Sequence, residues 1–152
     1  MKPAKPIAST AIAISASLLC LRLPVSAHGD SLAQIVALQT RADQAQRRDR
    51  CFLYAELVSR LVEQAGQQFS SGDQERASDT LKQVQHYLEE IRLYVTDDSK
   101  RLKNTELLVE HSSHRLSDIL HEASYDDRPN LEATLKQLNQ LQKQLMFQIF
   151  KK

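Results

Sequence analysis

Between Asp73 and Pro129 the chain has no glycine or proline, and apolar residues recur there on a single heptad register: Leu81, Val84, Leu88, Ile91 and Val95, then Leu102, Val109, Leu116, Ile119 and Ala123. Such spacing lays one apolar stripe along a helix, and a stripe this long must be covered by other helices. Asp98, Thr105 and Ser112 are its polar interruptions. An uninterrupted helix over 74–124 would hold about 50 residues and extend roughly 75 Å. Thr96-Asp97-Asp98-Ser99 is the place where a capped break fits, near 96–99. A turn normally resets the phase of a stripe, so the constant register favours continuity or a shallow kink.

Upstream, Ser31 and Gln34 stand at capping-box spacing, which predicts a helix starting at 31. It runs to about residue 70, with Cys51, Tyr54, Val58, Leu61 and Ala65 at alternating steps of three and four as its buried face. The run from Arg41 to Arg50 is polar nearly all round. Gly72 suits a helix stop and Asp73 a cap for the next helix, so a tight turn is expected at 70–73. Downstream, Tyr125 to Pro129 reads as a turn and Asn130 as the cap of a last helix over 130–151. Its stripe is Leu131, Leu135, Leu138, Leu145 and Ile149, widened towards the C-terminus by Leu141, Met146, Phe147 and Phe150. No strand-like alternation appears. These elements predict an all-α fold, either a long antiparallel helical hairpin or a three- to four-helix bundle with coiled-coil-like heptad packing.

Ala65, Gly72, Ala77 and Leu81 sit at spacings that resemble one helix-turn-helix unit of a tetratricopeptide repeat, and no second copy follows at that family's period. The resemblance implies two antiparallel helices packed closely through small residues. It implies nothing about function.

The first 27 residues read as an export signal. Lys2 and Lys5 precede an uncharged run from Ile7 to Leu21, Arg22 and Pro24 end it, and Val25-Ser26-Ala27 offers small residues to a peptidase. Cleavage before His28 would leave 28–152 as one helical domain, periplasmic or secreted. An uncleaved anchor is the alternative, but the run falls short of the roughly 20 residues that span a bilayer. Lipidation at Cys20 is opposed by the bulk of Leu19 and the nearby Arg22. Nothing downstream is apolar for long enough to cross a membrane.

Without Lys2, Lys5 and Arg22 the 20 basic residues fall to 17, against 19 acidic ones, so the remaining chain carries a formal charge of −2. That excludes the strong basic surplus that nucleic-acid binding needs. Loss of Cys20 would leave Cys51 without an intramolecular partner. Arg47, Arg48 and Arg50 beside it could lower its pKa, and its place on the apolar stripe equally suits inert packing. An intermolecular disulfide is the third option. The three arginines could also hold an anion, though Asp43, Asp49 and Glu56 dilute them into a salt-bridged solvated face.

His111, His114, Asp118 and His121 follow one another at steps of three, four and three, which gathers them within about 80° of a helix circumference. Such a set could meet one Zn or Cu ion. The wheel also places it opposite Leu102, Val109, Leu116 and Ile119, where solvated histidines do nothing specific. No zinc-protease motif, haem-attachment motif or catalytic arrangement is visible. The expectation is therefore a non-enzymatic helical interaction or scaffold protein of the cell envelope, associating with itself or another envelope protein through heptad faces. A small metal carrier or sensor using the histidine stripe is the competing expectation. The seam from Leu81 to Ala123 exceeds what the last helix alone can cover, so the first helix covers the rest, or a second chain does.

Overall fold

A computed structural model describes residues 27–151, which form five helices: α1 (Ala27–Gln44), α2 (Arg47–Ser70), α3 (Gln74–Tyr94), α4 (Leu102–Glu122) and α5 (Arg128–Phe150). They pack on one another as an all-α bundle, with no strand among the described residues. The segment read as an export signal lies, up to Ser26, outside those residues.

Helices α2, α3, α4 and α5 occupy the corners of a four-helix bundle, and α1 packs along the outer side of α2. Side-chain pairs fix the directions. Gly66 of α2 faces Ile119 of α4, and Cys51 neighbours Thr105, so these two helices run parallel. Ser113 with Asn139 and Glu106 with Gln142 set α5 antiparallel to α4. Ser78 with Asn130 and Asp97 with Lys151 set α3 parallel to α5. Helices α3 and α4 therefore stand on a diagonal, and 95–101 crosses the bundle end to join them.

That crossing is the capped break offered near 96–99, and it overturns the continuity that the constant register favoured. Ser99, buried, accepts a hydrogen bond from the Thr96 N–H at 2.9 Å and donates one to the Tyr94 carbonyl at 2.8 Å. Arg101 takes the left-handed conformation at φ 58°, and its guanidinium sits 4.8 Å from the Phe52 ring centre. The Lys100 N–H donates to the Arg48 carbonyl at 2.9 Å, which ties the crossing to α2. The heptad phase survives because Val95 and Leu102, on either side of the loop, stand seven positions apart. A loop one heptad long hides from a test of phase.

The reading of 31–70 as one helix is corrected too. The chain reverses at Ala45-Gln46 and α1 folds back antiparallel on α2, so that Gln34 lies near Glu63 and Gln44 near Asp49. Arg50 holds this joint. Its guanidinium donates to the Ala45 carbonyl at 3.0 Å, the Asp43 carbonyl at 2.9 Å and the Tyr94 hydroxyl at 2.8 Å. These carbonyls are among those a helix leaves unpaired at its C-terminal end. Helix α1 also begins at Ala27, so Ser31 lies inside it rather than at its cap.

The turn at 70–73 forms as expected: Gly72 has φ 81°, and Asp73 accepts from the Arg76 N–H. Asn130 does not cap α5, which starts at Arg128 with Pro129 in its first turn. It clamps helices instead, accepting from Gln85 at 2.9 Å and donating to Ser78 at 3.1 Å.

The core takes the heptad positions as read. Leu81, Val84, Leu88, Ile91, Val109 and Leu116 are wholly buried, against Leu57, Leu61, Leu131, Leu138, Leu141 and Leu145. Each large side chain contributes about 1.5–3 kcal/mol by leaving water. Thr105 and Ser112, also buried, donate their hydroxyls to the Arg101 and Leu108 carbonyls one turn back. At Gly66 an added Cβ would stand 3.1 Å from the Ile119 Cδ1, so glycine there lets α4 approach α2 closely.

Candidate functional site

Cys51 lies at the start of α2 with no exposed surface. Burial pushes its thiol up to about 12, and the hydrogen bond with Thr105 opposes this only in part. The neighbouring arginines do not reach it: Arg47 and Arg48 point into solvent, and Arg50 is engaged at the α1–α2 joint. Of the three readings of Cys51, its burial suits inert packing best, since a thiol so placed is neither a ready nucleophile nor presented at the surface.

His111, His114, Asp118 and His121 share the outer face of α4, and all four are exposed. Among the described residues no three His, Cys, Asp or Glu side chains are grouped closely enough to hold a metal ion. The stripe expected from helical spacing is present, but no neighbouring helix supplies a ligand to complete it. His86 stands apart on α3, its ring tilted against Tyr87 with centres 5.0 Å apart.

Arg47 and Arg48 border an open groove with Gln46 and the crossing residues Thr96 to Ser99. Asp97 and Asp98 line the same groove, so an anion there would meet carboxylates as well as cations. A recess of about 130 Å³ lies at the opposite end, between Gly66, Phe69, Ile119 and Ala123. It is well below the roughly 300 Å³ at which small-molecule pockets begin.

A polar and aromatic cluster joins α1, α2 and α3. The Tyr54 hydroxyl donates to the Asp43 carboxylate at 2.9 Å, and its ring stacks on Tyr87 with centres 5.6 Å apart. The Arg50 guanidinium lies 5.1 Å from the centre of the Tyr94 ring. Burial first, and then the Asp43 carboxylate, keep the Tyr54 phenol protonated well above its ordinary range. The cluster is structural: Tyr54 is held by Asp43, and Arg50 by Tyr94 and the Asp43 and Ala45 carbonyls. Sequence reasoning placed Tyr54 on the buried stripe and missed the partners, which come from other helices.

Met146, Phe147 and Phe150, which widen the apolar stripe of the last helix, are exposed at 40%, 67% and 75%. The helical wheel contains the signal. Phe147 lies about 200° from the buried Leu145, so both cannot face the core. Further large apolar residues are exposed singly or in pairs: Leu32 and Val36 on α1, Leu93 on α3, Leu107 on α4 and Tyr125 in the α4–α5 turn. No protein-family model matches the chain, and no curated protein or solved structure matches it significantly.

Proposed function

We propose that this chain is a non-enzymatic, exported helical interaction protein of the cell envelope, periplasmic or secreted, which works through its outer surface. The outward placement of Phe147 and Phe150 carries this reading, because exposed aromatic rings beside one another mark contact surfaces more than isolated apolar groups do. The heptad stripe itself is occupied within the bundle, so association proceeds through these remaining apolar groups and not through the seam. The buried thiol and a histidine stripe that no second helix completes do not favour catalysis or a built metal site.

A native mass spectrum of the protein recovered from its own host tests this reading. The expected spectrum shows a chain beginning at His28, free of metal and joined to a second copy or to another envelope component. A bare monomer carrying a metal or small-ligand mass that is lost on denaturation would overturn the reading and favour the carrier.

A further inference from the structure

We propose that the end of the bundle carrying Phe147 and Phe150 docks onto an anionic lipid surface, with the last turns of α5 settling at headgroup level. This rests on reading that end as a contact surface and specifies the partner. Lys136, Lys143, Phe147 and Phe150 follow one another on α5 at steps of seven, four and three. At 100° per residue they fall within about 60° of the helix circumference. All four are exposed, and no Asp or Glu occurs between Ala133 and Lys151. That combination suits an interface: the rings leave water for the acyl boundary while the Lys143 ammonium, about one turn above Phe147, stays at phosphate level. Lys136, about 21 Å above Phe150, adds only to the wider positive field.

Neighbouring elements extend the positive field. Arg101 and Lys103 line a groove with Gln148 and Ile149 of α5. Asp43, Asp49, Asp97, Asp98 and Glu106 are the acids of the same end, set against Arg47, Arg48, Arg50, Lys100, Arg101, Lys103, Lys143 and Lys151. Asp49 and Asp97 lie 3.8 and 3.9 Å from the Lys100 and Lys151 ammonium groups. At the opposite end the balance is reversed, with Asp73, Glu75, Asp79, Glu122, Asp126 and Asp127 against Arg76, Lys82 and Arg128. An anionic surface would therefore attract one end of the bundle and repel the other, which orients the approach. A second copy meeting the same face would bring lysine against lysine. Among the described residues no helix is long and apolar enough to cross a membrane, so this attachment is peripheral.

The sequence contains no tryptophan, so Phe147→Trp supplies a single reporter. The variant, isolated from its own host, is mixed with phosphatidylglycerol–phosphatidylethanolamine vesicles and separately with phosphatidylcholine vesicles. Blue-shifted emission and co-flotation are expected with the anionic vesicles. Added to that variant, Lys143→Gln and Lys151→Gln each weaken binding about fivefold, and Phe150→Ser weakens it about tenfold. Tyr125→Trp, exposed at the acidic end, keeps its aqueous emission. Circular dichroism establishes that each variant is folded before it is scored. No blue shift with anionic vesicles, equal binding to both vesicle types, or binding unchanged by Phe150→Ser overturns the proposal. A blue shift that needs no vesicles and grows with protein concentration also overturns it. That last result makes a second copy the occupant and leaves the contact-surface reading standing.

Discussion

The two ends of the bundle are closed by different means. At the acidic end the joints are held from within. The N–H groups of Ser71, Gly72 and Asp73 return to carbonyls of Gln67, Phe69 and Gln68, and the Ser124 hydroxyl donates to Asp127 at 2.6 Å. At the basic end the joints at 45–46 and 95–101 draw on distant partners: Arg50 reaches Tyr94, and Lys100 reaches the Arg48 carbonyl. Local joints need a suitable residue in place. Long-range joints need the whole bundle to assemble before they are satisfied.

The contrast can be broken in order of expected effect. Alkaline pH should act most strongly, and at the basic end. The folded Cys51 thiol titrates near 12 against an ordinary value of 9.0, so the native state holds this proton more tightly than the unfolded chain. Its contribution is present below pH 9 and is lost as pH rises towards 12, on the order of 4 kcal/mol. Urea midpoints should fall across that window, and Cys51→Ala should flatten the fall.

Arg50→Ala comes next, at about 3 kcal/mol in urea denaturation, because it removes three hydrogen bonds from a charged donor. Ser99→Ala should cost about 1.5 kcal/mol by leaving the Thr96 N–H unpaired. Gly72→Ala should cost about 1 kcal/mol, all of it backbone, since no atom lies within 4 Å of the added Cβ. If Gly72→Ala proves more damaging than Arg50→Ala, the ranking of the two ends is reversed. Phe147→Ser should change stability by less than about 0.5 kcal/mol. A larger loss would place that ring in the fold and not in a contact.

The same contrast explains what was readable in the sequence. The turn at 70–73 was legible because Gly72 and Asp73 state it locally. The buried positions from Leu81 to Val95 and from Leu102 to Ile119 were legible because one face of each helix is consistently apolar. The place of the crossing at 95–101 was legible in Thr96-Asp97-Asp98-Ser99, but its occurrence was not, because its length keeps the heptad phase. Nor was the reversal at 45–46, which has neither glycine nor proline and depends on Arg50 finding Tyr94 across 44 positions. The histidine stripe was placed correctly on one face, but spacing along α4 cannot supply a ligand from another helix. Phe147 and Phe150 were legible as apolar members of the last helix, and their angular positions relative to the buried Leu145 put them on the surface.

Each end also exposes an aromatic side chain, and the two differ in setting. Tyr125 stands beside Asp126 and Asp127, whereas Phe147 stands among lysines of α5. The most direct measurement places a photo-crosslinking residue at position 147 in one variant and at position 125 in another, with irradiation in the living host. The account predicts that position 147 yields adducts to a lipid or another protein and that position 125 yields none. Adducts from position 125 alone would contradict it and move the working surface to the acidic end.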